Sequence, residues 1–327
     1  MRAVRAKAWG GLDQLELAAL PAPQPGAGQV LIEVAAAGLN YADSLLVAGK
    51  YQERPQPPFV PGFEVAGRVR AVGAGVGRVA PGARVLAILD GGGYAELALA
   101  REPDVFAIPE AMSFEEAAGF AIAYGTAHGA FAWRADLKAG EVLLVLGAAG
   151  GVGLTAVEVG KAMGATVIAA AGGPEKLAVA RAHGADHLID YRSETLRQRI
   201  KEICDGRGAD VVFDPVGGEL FDQAMRTANW GGRLVVVGFA GGQVPQIPAN
   251  ILLVKNLAAL GFYWGSYREK RPDLVEASFA QLFRWYGEGR LKPHVSNRYD
   301  LADAAAALAL LTDRRATGKV VLTTGRA

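Results

Sequence analysis

The sequence predicts an α/β protein of two parts: a β-rich region first, then a doubly wound parallel-sheet domain. Three observations predict it. Between residues 141 and 264, short apolar runs alternate with helical stretches. Before about residue 100, valines fall on alternate positions between turn residues. Early in the alternating region lies a glycine-rich loop, "GAAGGVG", with a strand pattern before it and a helix pattern after it.

In the first region, "VLIEVAAAGLN" starts as a strand and stops at Gly38. "EVAGRVRAVGAGVGRVAPGARVLAIL" alternates, with turns at Gly73–Gly77 and Pro81-Gly82. Prolines crowd between Pro55 and Pro61, which predicts an extended loop. "SFEEAAGFAIAYGTAHGAF" reads as a helix, with Ser113 as N-cap and Glu116 at the capping-box position. The alternation follows. "EVLLVLGA", "TVIAAAG", "DHLIDY", "ADVVFDPVGG", "RLVVVGFAGG" and "LAALGFYWG" read as strands. The helices between them include "VGLTAVEVGKAM", "PEKLAVARAH" with Pro174 at its first position, and "SETLRQRIKEIC" capped by Ser193. Continuous Val/Leu runs alternating with helices imply a parallel sheet covered on both faces. The tail carries a long helix, "PDLVEASFAQLFRWYGEG", then "ADAAAALALL" and the strand "GKVVLTT". Its return to α+β character predicts that the chain rejoins the first domain.

At 327 residues the chain is long enough for two domains and a large core. A formal charge of +1 argues against a broad nucleic-acid or acidic-membrane surface. The one cysteine, Cys204, rules out an intramolecular disulfide and any multi-cysteine metal site. No apolar run has membrane-spanning length, and "MRAVRAKAWGG" has no signal core. The expected setting is cytoplasmic.

The loop carries the chemistry. Ala148-x-Gly150-x-x-Gly153 sits between a strand and a helix, with Ala148 at the first-glycine position. Gly150 admits a pyrophosphate to the backbone, and Gly153 lets helix pack on strand. The helix N-terminus offers free N–H groups and a favourable dipole. A tight turn with no ligand would give the same glycines, but the βαβ context favours a dinucleotide. "VGAGVGRVAPG" at 72–82 has the wrong glycine spacing and no following helix, so it reads as a hairpin.

An NAD-binding domain places an Asp or Glu about 20 residues further on, at the end of the second strand. Here that place falls at Ala171 or Gly172, and Lys176 follows. Losing the acid and gaining a cation favours a 2′-phosphate, hence NADPH. Tyr191 and Arg192 end the third strand and can reach the same pocket. Lys176 could instead be a solvated surface residue, and Glu175 could face solvent or take the ribose.

Together, "GAAGGVG", "AAAGGPEK", "GLNYADSLLVAGKY", "PGFEVAGRVRAVGAGV" and "RRATGKVVL" resemble the zinc-free quinone oxidoreductases of the medium-chain dehydrogenase/reductase superfamily, the group that includes zeta-crystallin. The resemblance covers essentially the whole chain. It implies a GroES-like catalytic domain over 1–120, completed by 265–327, and a Rossmann NADPH-binding domain over 121–264. It also implies a homodimer joined through the Rossmann sheet edge at 250–264. Asn40 and Phe63 stand where zinc alcohol dehydrogenases carry a Cys and a His, and the four-cysteine lobe has no counterpart. No metal site is expected, and His128, His183, His187 and His294 do not supply one.

By the same resemblance, Asn40 and Thr126 lie beside the nicotinamide, with Tyr51 from the loop that follows Asn40. Lys176, Tyr191 and Arg315 contact the 2′-phosphate, and Gly172, at the place of the missing acid, is a further cofactor-binding candidate. Gly150, Gly151 and Val152 contact the pyrophosphate. Phe239 and Ala240 flank the cofactor, and Phe262 and Trp264 lie near the nicotinamide. Leu45 replaces a Tyr of some relatives, which opens the substrate preference. Tyr51 either bonds a carbonyl oxygen or forms an aromatic wall. Asp43 is expected to be structural.

Without a Lewis acid the substrate must already accept hydride well. The expected function is NADPH-dependent quinone reduction. The alternatives are reduction of an enone or enal, and a non-catalytic, crystallin-like cofactor or RNA binder. The near-neutral charge weakens the RNA reading.

Overall fold

In the computed structural model, which describes residues 1–326, the two sequence patterns build two separate units. The first comprises Met1–Ile122 and the stretch from Pro293 onward; the second is Ala123–Lys292.

The first unit is organised by the strand Gln29–Gly38. It pairs antiparallel with Glu64–Val72, Leu97–Arg101 and the tail strand Lys319–Thr323. Alternation lets each strand send one row of side chains inward. Val30, Ile32, Val34, Val65, Val69 and Val85 form that row, joined by Leu301 and Leu308 from the tail. The stretch 72–82 is a hairpin, as its glycine spacing suggests, linking Glu64–Val72 to the antiparallel Arg84–Ile88.

The second unit holds a six-stranded sheet in the order His187–Asp190, Thr166–Ala171, Val142–Leu146, Ala209–Asp214, Ala228–Val236, Ala258–Gly261. Every neighbouring pair is parallel. Numbered by chain order within this unit the sequence is 3-2-1-4-5-6, the Rossmann arrangement, whose switch point lies between the first and fourth strands. Val142–Leu146 is buried at every position, as a strand covered on both faces must be.

Three expectations change. The chain rejoins the first unit at Pro293 rather than 265. The long helix Pro272–Gly287 buries Val275, Phe279 and Leu282 and stays in the second unit. Its Ser278 hydroxyl lies 2.8 Å from His128 Nδ1, and Phe279 packs on Trp264 at 6.4 Å between ring centres. The expected helix from Ser113 has the predicted capping box, but it ends at Ala118 and a second helix begins at Ala121. Ser193 is not a cap. Its N–H donates to the Asp190 carbonyl within a turn, and the helix begins at Leu196 behind Thr195.

No helix among the described residues is long and apolar enough to cross a membrane.

Candidate active site

The glycine loop joins the strand Val142–Leu146 to the helix Gly151–Ala162. The tight turn is made at Gly147, whose φ is 61°, not at Ala148, which is buried. A Cβ on Gly153 would lie 2.2 Å from the Gly147 carbonyl oxygen, so helix and strand meet backbone to backbone there. Gly150 is the N-cap and offers no side-chain cap. The first in-helix bond runs from the Leu154 N–H to the Gly150 carbonyl. The N–H groups of Gly151, Val152 and Gly153 therefore precede the intrahelical ladder and point out of its start. That cradle fits a pyrophosphate.

At the end of the next strand, Thr166–Ala171, Gly172 is buried and Gly173 has a φ of 96°. Register brings Asp190 level with Ala171. Asp190 Oδ1 accepts the N–H groups of Gly173 and Arg192, each at 3.0 Å. Those two N–H groups, Arg192's first, hold the Asp190 carboxyl below its ordinary pKa. Lys176 lies in the first turn of the helix Pro174–Ala182 and is partly buried, as is Tyr191. Lys176, Tyr191 and Gly172 are thus brought to one end of the sheet. Arg315 belongs to the first unit, in the exposed segment before Lys319.

Asn40 caps the helix Tyr41–Val47 in the first unit. Its N–H donates to Asp43 Oδ2 at 2.7 Å. Its side chain is held from both ends. Lys319 Nζ donates to Asn40 Oδ1 at 2.8 Å, and Asn40 Nδ2 donates to Glu64 Oε1 at 2.9 Å. Lys319 also bonds Glu64 Oε1 at 2.8 Å and the Leu39 carbonyl at 2.7 Å. Glu64 Oε2 accepts the Ile122 N–H at 2.9 Å. An ammonium only donates and a carboxylate only accepts, so the amide can sit one way round. Among the described residues, the second Asn40 Nδ2–H has no partner. Lys319 and Glu64 were not legible as site residues. The one signal was a lysine opening an apolar strand, "GKVVL".

Asp43 is fully buried, and burial pushes its carboxyl up to about 7 against the Asn40 N–H, Tyr94 and Lys319. Burial first, and then the neighbouring Asp43 carboxyl, push the Tyr94 hydroxyl well above its ordinary value. Tyr51 and Phe63 pack with ring centres 5.4 Å apart, so Phe63 fills the would-be metal-ligand position with an aromatic face.

In the second unit, Thr126 is buried in the helix Ala121–Gly129. A Cβ on its neighbour Gly125 would lie 2.6 Å from the Trp264 indole, and one on Gly129 2.8 Å from Phe262. Phe262 and Trp264 are only 6% and 5% exposed, so they shape this helix from behind. Among the described residues the buried Trp264 Nε1–H has no hydrogen-bond partner. Phe239 is exposed, and the Ala240 N–H donates to the Pro215 carbonyl at 3.0 Å. That bond ties the loops after the fourth and fifth strands together. Beneath them Asp214 accepts the N–H groups of Val216 at 2.8 Å and Gly217 at 2.9 Å. Burial pushes the Asp214 carboxyl up to about 6. Among the described residues no group of three or more His, Cys, Asp or Glu could hold a metal ion.

A parallel sheet of this order with an open phosphate cradle is a dinucleotide-binding architecture, and a largely antiparallel unit accompanies it. Family models agree: an alcohol dehydrogenase GroES-like domain matches residues 26–110, and a zinc-binding dehydrogenase domain matches 151–280. The quinone oxidoreductase-like protein 2 homolog of Nematostella vectensis is 41% identical over 91% of this chain and 82% of its own length. Quinone oxidoreductase-like protein 2 of Bos taurus is 39% identical over 90% of this chain and 84% of its own. Among solved structures, the Escherichia coli quinone oxidoreductase complexed with NADPH superposes with a TM-score of 0.92 at 29% identity, covering 99% of this chain and 100% of that one. The chain belongs to the zinc-free quinone oxidoreductase family of the medium-chain dehydrogenase/reductase superfamily.

Proposed function

We propose that this protein transfers hydride from NADPH to a quinone without a metal. The observation that carries the reading is the ribose end of the cradle, which holds Gly172 and Lys176 where an NAD-type site holds a carboxylate. The relatives named quinone oxidoreductase-like protein 2, and the quinone oxidoreductase solved with NADPH, support it.

Bound NADPH supplies the hydride; the protein supplies position and electrostatics. The N–H groups of Gly151 and Val152 take the pyrophosphate, while Gly150, whose N–H donates to the Gly147 carbonyl, brings only its bare backbone close. Lys176 and Tyr191 take the 2′-phosphate, and Arg315 keeps the same assignment by family resemblance. Phe239 and Ala240 line the cofactor loop. Thr126 is assigned to the nicotinamide side, with Phe262 and Trp264 behind it. Asn40 presents its remaining N–H to a substrate oxygen or a ribose hydroxyl. Tyr51, packed on Phe63, forms an aromatic wall that suits a flat quinone ring. A catalytic zinc needs three protein ligands, and Asn40 and Phe63 stand where a zinc enzyme would carry two of them. A quinone needs no such polarisation, and water can protonate the reduced product.

The second unit offers an interface as well. Its edge strand Ala258–Gly261 is largely exposed, and Leu253 and Val254 beside it are 78% and 75% exposed. We assign this edge to a homodimer, which sedimentation equilibrium of the wild type against an edge-strand proline variant would test. The free, buried Cys204 suits a reducing, cytoplasmic setting.

Steady-state NADPH oxidation against quinones, enones and enals tests the function. Turnover with quinones well above that with enones is expected. Turnover with enones alone would move the assignment to an enone reductase, and tight NADPH binding without any turnover would sink both.

A further inference from the structure

Gly172 and Gly173 vacate space at the end of the strand Thr166–Ala171, and one guanidinium fills it. A Cβ on Gly172 would lie 2.7 Å from Arg192 Nε and 3.1 Å from Tyr191 Cε2. A Cβ on Gly173 would lie 3.7 Å from Arg192 Nη1. The guanidinium therefore crosses both glycines, where the side chain of an NAD-type acid would emerge.

The placement is built in. Parallel register sets Asp190 against Ala171, and the Tyr191 N–H reaches the Ala171 carbonyl at 3.3 Å. Asp190 Oδ1 then clamps the two turns by accepting from the backbone of Gly173 and of Arg192. Asp190 is hydrogen-bonded through Arg192's backbone, and the guanidinium acts on it only through its charge. Among the described residues that guanidinium has no ion-pair or hydrogen-bond partner, and the side chain is exposed. It keeps its fork of donors for a ligand, and that fork matches phosphate oxygens better than an ammonium does.

We propose that Arg192 is the principal specificity residue for the 2′-phosphate: it binds the phosphate and lies over Gly172, in the space an NAD-type acid would use. This rests on the reading that the second unit holds NADPH. Lys176 is then the auxiliary charge.

Dissociation constants for NADPH, NADH and 2′,5′-ADP, measured by calorimetry on the full chain, test it with Arg192→Ala, Arg192→Lys and Lys176→Ala. Arg192→Ala should weaken NADPH and 2′,5′-ADP at least tenfold, more than Lys176→Ala does, and leave NADH within twofold. Arg192→Lys should recover only part of the loss. NADPH affinity unchanged in Arg192→Ala but lost in Lys176→Ala would overturn the role of Arg192 and leave the NADPH reading intact. Equal loss of NADPH and NADH would reduce Arg192 to a structural part. A wild type that binds NADH as tightly as NADPH would sink the reading itself.

Discussion

Lys319 Nζ and Asn40 Oδ1 lie 2.8 Å apart although 279 residues separate them in the chain. The ammonium is buried, and the carboxylate that balances it, Glu64, has no exposed surface. Together they leave the Asn40 amide one orientation. Lys319→Met strands the Glu64 charge, and removing one partner of a buried pair costs about 3–5 kcal/mol. The variant should unfold at lower temperature and lose most of its kcat. Adding Glu64→Gln should restore part of the stability, because the stranded charge disappears. Thermal unfolding and kcat of both variants check this; strictly additive losses would contradict it.

Gly153→Ala drives a Cβ to 2.2 Å from the Gly147 carbonyl oxygen. Backbone cannot step aside as a side-chain tip can, so the helix Gly151–Ala162 must shift. Overpacking of this kind costs about 1–3 kcal/mol. NADPH affinity should fall about tenfold or more, equivalent to at least ~1.4 kcal/mol. Fluorescence titration reads it, and unchanged affinity would separate the cradle from the cofactor.

Gly172→Asp puts an acid where NAD-type domains carry one, and its Cβ meets Arg192 Nε at 2.7 Å. The flexible Arg192 side chain must shift, and the new carboxylate pairs with its charge and repels a 2′-phosphate. The ratio of NADH to NADPH in kcat/KM should rise about tenfold or more, or ~1.4 kcal/mol. A fall in both cofactors together would show only that the turn was damaged.

Asp43 gives the pH prediction. Its folded pKa of about 7 stands above the ordinary carboxyl value, so the folded state holds the proton that the unfolded chain releases. The associated stability is complete below about pH 4 and is lost as pH rises through about 7. The charged groups facing it are Lys319, which lowers the pKa, and Glu64, which raises it. Asp43→Asn cannot ionise, yet it keeps an oxygen for the Asn40 N–H. Its stability relative to wild type should improve steadily between pH 4 and 7, by a few kcal/mol at most. Parallel stability curves from pH 4 to 8 would contradict the shift.

The parts of the site legible in the sequence are those that local sterics dictate. Gly150 and Gly153 follow from a strand that meets a helix around a phosphate, and the missing acid at Gly172 follows from its distance from that loop. Gly147 escaped because the fingerprint was anchored one residue on, at Ala148; only the positive φ identifies the turn. Glu64 and Lys319 escaped because antiparallel strands bring them together across 255 residues. The late return of the chain escaped for a similar reason. The helix Pro272–Gly287 has the amphipathic pattern of any surface helix, and the contact from Ser278 to His128 that claims it spans 150 residues. Arg192 was visible as a neighbour of Tyr191, but nothing in the pattern aimed it across two glycines.

The most direct test of the central claim is a single-turnover reaction of the NADPH-loaded enzyme with a quinone in the absence of air, using NADPH deuterated at the transferred position. One hydroquinone per NADPH consumed, formed with a primary isotope effect, is the result expected for hydride transfer at this site. Tight NADPH binding with no hydroquinone formed from any quinone would contradict the account.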